Sequence, residues 1–313
     1  MHSFKNESGI ALLIVLWVMV ILMVIVFSFS LLARTETYSA LAFKEGVEKK
    51  FLAEAGIERG IMELFYRQRN LNVEGSEVWK TDGTTYSETL GVGSYRVRIT
   101  DESGKVDLNT APEAILRSLL TSLGIEEELR DTIVDSIMDW KDPDDLHRLN
   151  GAESDYYMSL PHPYKAKNAN FEAVEELLLV KGVTPVILYG DGSKQGLIDL
   201  LTIHGRSNKI NVNAASKGTL MGIPGMTTEM ADAIISYREA NEIKNIQELA
   251  TIIGDQLGTI SPFISTGGTN TYTLESLGIK NTIKGGYGIK AVVTLLTANK
   301  YITVYYKCPV TIK

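Results

Sequence analysis

The stretch IALLIVLWVMVILMVIVFSFSLLA, Ile10 to Ala33, decides the fold. It carries no charge, and its only hydroxyl groups are those of Ser28 and Ser30. As an α-helix it is about 36 Å long, which matches a hydrocarbon core of about 30 Å with some tilt. Apolar side chains fall on every face, whereas a surface helix carries one apolar stripe. In lipid every backbone amide must be satisfied within its own segment, which selects a helix. The polar residues ahead of it, MHSFKNESG, end in Gly9. Behind it the chain runs through Arg34, Thr35 and Glu36 with no small-x-small cleavage site. The apolar run is also longer than the roughly 7–15 residues of a secretory signal. Two readings follow: an uncleaved anchor, or a leader cut between Gly9 and Ile10 that leaves the apolar helix on the mature chain.

Downstream, Leu41, Phe43, Val47, Phe51, Leu52, Ala55, Ile57, Ile61, Leu64 and Phe65 recur at helical spacing among charged residues. No proline interrupts them, which predicts one long helix to about Asn70, half in the membrane and half against a soluble domain. Leu71 to Gly91 is polar and predicts a turn at Asp82-Gly83. SYRVRIT, Ser94 to Thr100, alternates as a half-buried strand. Asp101 to Gly104 turns the chain into a short strand at Lys105–Leu108.

Asn109 to Ile260 reads as helical and contains a near-repeat. LNTAPEAILRSLLTSLGIEEELRDTIVDSIMDW starts at Leu108, and VNAASKGTLMGIPGMTTEMADAIISYREANE starts at Val212. Each opens with an Asn expected to cap a helix, then gives a helix, a glycine turn (Gly124; Gly225) and a second helix. FEAVEELLLVKGVTPVIL, turning at Gly182, is expected to be a third and weaker unit. All three resemble a helix-hairpin-helix. After Gly267 the pattern is β: TYTLESLGI, GIKAVVTLLTA and YITVYYKCPVTI, separated by Gly285-Gly286 and Asn299-Lys300. The predicted class is α+β: a spine helix on a small antiparallel sheet that is split by a large all-α insertion. The boundaries are a leader at 1–9, membrane and spine helix at 10–70, β part at 71–108, α insertion at 109–265 and a second β part at 266–313.

Composition limits the chemistry. The 313 residues are 22% charged and 44% hydrophobic with net charge −7, a poor general ligand for nucleic acid. One cysteine, Cys308, excludes an intramolecular disulfide and a cysteine-based zinc site. The four histidines, His2, His147, His162 and His204, show no HExxH spacing, and no nucleophile elbow or phosphate loop is present. No enzyme is expected. Basic residues lie on both sides of the apolar run, Lys5 before and Arg34, Lys44, Lys49 and Lys50 after, so charge bias does not orient it.

The acidic segment Asp139-Trp140-Lys141-Asp142-Pro143-Asp144-Asp145, followed by Gly151-Ala152-Glu153-Ser154-Asp155-Tyr156-Tyr157, could supply several hard oxygens to Ca2+. It is not an EF-hand, because Leu146 stands where a third acidic ligand belongs. The plain alternative is a solvated acidic turn.

The polar leader ending in Gly9, then IALLIVLWV, resembles the type IV pilins and type II secretion pseudopilins. Most of them carry Glu at the fifth mature position, which here is Ile14. That absence, AEAGIE at Ala53–Glu58, the split sheet and the DW-D-D…GAE-DYY pattern resemble the K-type minor pseudopilins (GspK) of type II secretion. The resemblance implies leader cleavage after Gly9 by a prepilin peptidase and methylation of Ile10. It implies a single pass in the inner membrane and a periplasmic head. It implies partnership with I- and J-type minor pseudopilins and the major pseudopilin at a filament tip, supporting export across the outer membrane. It also implies calcium at Asp142, Asp144, Asp145, Glu153 and Asp155. The alternative is a membrane-anchored helix-hairpin-helix DNA receptor of the competence kind. Against that, in IPGMTTEMA Thr227 replaces the usual second Gly and Glu229 the usual basic residue, and Glu126, Glu127 and Glu128 occupy the other hairpin. No nucleic acid is expected as a partner.

Overall fold

The computed structural model describes residues 7–70, 77–280 and 285–312. Most of the leader, including His2 and Lys5, lies outside the described residues, as does the polar stretch 71–76. The apolar run lies within one 64-residue helix, α1 (Glu7–Asn70). At 1.5 Å per residue it is about 96 Å long. From Gly9 to Lys44 every side chain is exposed; burial starts at Glu45 and recurs at Lys49, Leu52, Ala53, Ile57, Ile61 and Leu64. Those positions follow the i, i+4, i+7, i+8 spacing of one helix face. The helix is long and apolar enough to cross a membrane by length and composition.

The buried face of α1 lies on a five-stranded antiparallel sheet. In chain order its strands are β1 (Asp82–Leu90) and β2 (Gly93–Asp101), then, after a long insertion, three more near the C-terminus. The predicted turn at Asp82-Gly83 is corrected: it is the start of β1, where Gly83 (φ +91°) produces a register break between Asp82 and Thr85. The chain reverses instead at Gly91-Val92. Strand β1 is an edge strand exposed along most of its length, so no apolar alternation marks it.

The insertion is two copies of one plan. The first opens with β3 (Val106–Asp107) and runs through α2 (Glu113–Ser122), α3 (Glu127–Lys141), α4 (Ser154–Met158), α5 (Pro185–Tyr189) and α6 (Leu197–Leu200). It closes on β4 (Leu201–Thr202), parallel to β3. The second opens with β5 (Ile210–Asn211) and runs through α7 (Lys217–Met221), α8 (Thr228–Ala240), α9 (Ile246–Ile253) and α10 (Leu257–Ile260). It closes on β6 (Ile264–Ser265), parallel to β5. Then come β7 (Thr271–Lys280), β8 (Tyr287–Leu296) and β9 (Lys300–Lys307), giving the order β1-β2-β7-β8-β9. Strands β2 and β7, adjacent in the sheet, are therefore separated in sequence by the whole insertion.

The repeat extends to individual side chains. Asn109 Nδ2 donates to Phe171 O at 3.0 Å and its Oδ1 accepts from Phe171 N at 2.8 Å. Asn213 does the same to Ile243, at 2.8 and 3.0 Å. Lys141 Nζ donates to Leu108 O at 3.1 Å, and Arg238 Nη1 donates to the matching Val212 O at 2.7 Å. Glu176 accepts from Glu172 N, and Glu248 from Lys244 N. The two asparagines are therefore not the helix caps that the sequence predicts. Pro112 precedes α2 without a side-chain cap, and Ser216 Oγ caps α7 by accepting from Thr219 N at 3.1 Å. Each asparagine instead staples the entry strand to the second half of its unit. The predicted third unit is corrected likewise. Phe171 to Tyr189 is the second half of the first copy, equivalent to the stretch from Ile243. Replacing Asn213 with Ala strands Ile243 N–H and the carbonyls of Ile243 and Thr266, and should cost about 2 kcal/mol. Thermal melting of the full chain in detergent measures it; an unchanged melting temperature denies the staple.

Glu102 joins the sheet to the insertion. It is 2% exposed and accepts from Lys105 Nζ at 2.9 Å, from Thr273 of β7 at 2.7 Å and from Thr202 of β4. Burial pushes its carboxyl up, but Lys105 and the two hydroxyls outweigh burial and hold it below the ordinary glutamate value.

Candidate functional site: an acidic segment over an aromatic layer

The two copies differ most between their third and fourth elements. In the second copy only residues 241–242 link the end of α8 to Ile243. In the first, residues 142–170 lie between the end of α3 and Phe171, and they carry the acidic segment. Helix α3 stops where it does because Asp142 precedes Pro143, and a residue before proline is driven from the helical region; Asp142 is extended (φ −79°, ψ 161°).

Below this segment lies an aromatic layer. Trp140 meets Tyr157 edge-on at 5.2 Å and Phe171 at 6.4 Å, and Tyr157 stacks on Tyr164 at 5.2 Å. Lys181 holds the segment from the far side. Its Nζ donates to Gly151 O at 3.0 Å and lies 5.0 Å from the centre of the Tyr156 ring.

Above the aromatics stand the carboxylates. Asp139, fully buried, accepts from Arg148 N at 3.0 Å and from Arg148 Nη1 at 2.8 Å. The same Nη1 donates to Asp142 Oδ2 at 2.8 Å. Gly151 must be glycine here, because a Cβ would lie 1.8 Å from Asp139 Oδ2. Asp144 Oδ1 accepts from Leu146 N at 2.9 Å, and Asn168 Nδ2 reaches Asp144 O at 2.9 Å and Asp145 Oδ1 at 3.1 Å. Glu153 is 1% exposed, and both of its carboxylate oxygens are buried without a hydrogen-bond partner. Asp142 Oδ1 is buried without one too. Burial first, then the charges of Asp139, Asp142, Asp145 and Asp144, push the Glu153 carboxyl up to about 7. Asp155 stands apart: its side chain is 75% exposed, its Oδ1 accepts from Tyr156 N, and His147 Nε2 lies 4.0 Å away.

The structure thus brings Asp142, Asp144, Asp145 and Glu153 into one segment and leaves Asp155 on its rim. The sequence reading missed Asp139 as a member and Arg148 as its partner. The available signal was that Arg148 is the only Lys or Arg between Lys141 and Lys165. Among the described residues no three His, Cys, Asp or Glu side chains converge to hold a metal as they stand. Arg148 occupies the space between two of the carboxylates. The donor chemistry nevertheless fits a hard divalent cation. A buried carboxylate with both oxygens orphaned and four carboxylates acting on it is costly unless a positive charge joins it.

Gly9 and Ile10 lie in the exposed first turns of α1. At the second hairpin Thr227 Oγ1 accepts from Met230 N at 3.3 Å, capping α8. Glu229 follows, its carboxyl held below the ordinary value by its own backbone N–H and then by Thr227. A carboxylate thus sits at the helix start where a phosphate would have to bind. Leu220, Ile223, Ala231 and Ile234 of this hairpin are fully buried, so it serves the core.

Comparison with known proteins gives a consistent picture. Residues 97–189 match the family model for type II secretion system protein K, a span that includes the acidic segment. Residues 205–254 match the helix-hairpin-helix motif. The type II secretion system protein K of Pseudomonas aeruginosa is 26% identical over 296 residues, covering 88% of this chain and 86% of that protein. That of Aeromonas hydrophila is 27% identical over 204 residues, 59% of this chain and 61% of that protein. The match to the Pectobacterium carotovorum protein K is local, 38% over 72 residues, or 23% of this chain and 22% of that protein. A chain in the crystal structure of the GspK-GspI-GspJ complex from enterotoxigenic Escherichia coli shares the fold. Its TM-score is 0.63 at 15% identity, covering 88% of this chain and 100% of that one.

Proposed function

We propose that this chain, a member of the type II secretion protein K family, works as a structural minor pseudopilin at the tip of a short periplasmic filament. The observation that carries the reading is α1 itself: one helix, bare over its apolar part and docked on the sheet over its C-terminal part. A prepilin peptidase cuts between Gly9 and Ile10 and Ile10 is methylated. The apolar helix then sits in the inner membrane among neighbouring pilin helices, held by close packing rather than by water exclusion. The head lies in the periplasm. It joins the I- and J-type minor pseudopilins above the major pseudopilin and supports export across the outer membrane. The chain is not an enzyme. Ile14 brings no carboxylate into the hydrocarbon, where a bare charge is costly, so α1 offers nothing there to the amine of a further subunit.

The acidic segment holds calcium. Glu153, Asp142, Asp144 and Asp145 supply its oxygens, and the support is the pair of orphaned Glu153 oxygens. The ion supplies the positive charge those carboxylates lack. Asp155, out on the rim, fits the ligand set least well.

Two measurements test the assignment. Mass and N-terminal sequence of the chain from cells with a prepilin peptidase should give a methylated Ile10; an intact Met1 removes the pilin class. The full chain in detergent should co-purify with coexpressed I- and J-type subunits. Failure to retain either one removes the tip role.

A further inference from the structure

The acidic segment contains a cation of its own. One nitrogen of Arg148, Nη1, stands between Asp139 Oδ1 and Asp142 Oδ2, 2.8 Å from each. The Arg148 backbone N–H is tied separately to Asp139 Oδ2 at 3.0 Å. Beside them are three buried oxygens with no hydrogen-bond partner: both of Glu153 and Oδ1 of Asp142. A guanidinium brings one charge through planar N–H donors, and it satisfies only the oxygens those donors reach. A divalent cation brings two charges and takes oxygens from all sides. The same Asp142 carboxylate cannot serve both fully. The backbone tie means that the side chain can leave Asp142 while residue 148 stays anchored to Asp139.

We propose that Arg148 is a tethered counter-cation: it neutralises Asp139 and Asp142 until a divalent ion enters, then gives up Asp142 and swings to solvent. The inference rests on the calcium reading above and adds the residue that opposes the ion. With the guanidinium withdrawn, Asp142 can turn toward Glu153, which explains why the carboxylates do not converge while Arg148 is seated between them.

The test uses the full chain in detergent, stripped of divalent ions and titrated with calcium chloride by calorimetry. Arg148→Gln should bind calcium at least about tenfold tighter than the wild type, because the competing charge is gone. Arg148→Lys, which keeps one charge without the fork, should fall between them. Trypsin gives a second readout on the wild type. Calcium should speed cleavage after Arg148, since a freed side chain can enter the protease. Ordinary protection by a ligand would slow it. Equal or weaker calcium binding by Arg148→Gln, or slower cutting after Arg148, overturns the competition alone. A wild-type chain that takes up no calcium overturns the ion site and the proposal together.

Discussion

Replacing Gly278 with valine is expected to lift the spine off the sheet and cost about 3 kcal/mol or more of stability. A Cβ at Gly278 would lie 2.0 Å from Lys49 O and 2.7 Å from Ala53 N, both backbone atoms of α1. Backbone inside a helix cannot step aside as a side chain can, so the whole helix must move. It is pinned close by two more glycines one turn apart. A Cβ at Gly56 would stand 2.2 Å from Ser276 Oγ, and one at Gly60 2.6 Å from Leu274 Cδ2. Lifting α1 would therefore also open the apolar layer in which Ala53, Ile57, Ile61 and Leu64 meet Ile99, Leu274, Ile289 and Val293. Urea denaturation of the full chain in detergent measures the loss. Gly46→Ala is the control: nothing lies within 4 Å of its Cβ, and a helical Gly→Ala change should add up to about 1 kcal/mol. Should the valine variant unfold within about 0.5 kcal/mol of the wild type, the close seating of α1 is wrong.

What could be read from the sequence follows what burial writes into it. The membrane run is uniform in composition, and the buried part of α1 repeats at helical spacing, so both are visible without a structure. Strand β2 alternates because one face is covered by α1, and SYRVRIT carries that alternation. Strand β1 has no covered face, and DGTTYSETL shows only polar residues and a glycine whose positive φ makes a bulge inside a strand rather than a turn. The strands that close the two copies are two residues long and pair with partners far along the chain, too short to leave a period. Asn109 and Asn213 were conspicuous for the right reason, a polar side chain bound to backbone, but the backbone lies in another part of the copy. In the acidic segment, composition pointed to the carboxylates. It could not tell that Asp155 stays on the rim or that Asp139 is buried and tied to Arg148, because those facts depend on how residues 142–170 fold back on α3.

Glu153 should give the second large effect, a pH dependence that one substitution removes. Its carboxyl titrates near 7 in the folded chain, raised from 4.5 by burial and by the carboxylates around it. Between those values the folded chain holds a proton that the unfolded chain has released. Unfolding therefore gives off a proton, and stability must fall as pH rises from about 4.5 to about 7. Below the window both states are protonated, and above it both are ionised, so the loss levels off at each end. A shift of this size corresponds to a loss on the order of 3 kcal/mol between pH 4.5 and pH 8. Glu153→Gln has no proton to release, so in chelator it should match the wild type near pH 4.5 and exceed it by most of that amount at pH 8. Subtracting the two curves cancels every other titrating group common to both. Calcium reverses the sign for the wild type: an ion beside the carboxylate favours its ionised form, so the melting temperature at pH 8 should rise with calcium in the wild type and stay still in Glu153→Gln. Parallel pH curves in chelator would mean that Glu153 is solvated or already paired. A calcium response in Glu153→Gln equal to that of the wild type would mean that the ion, if bound, sits elsewhere.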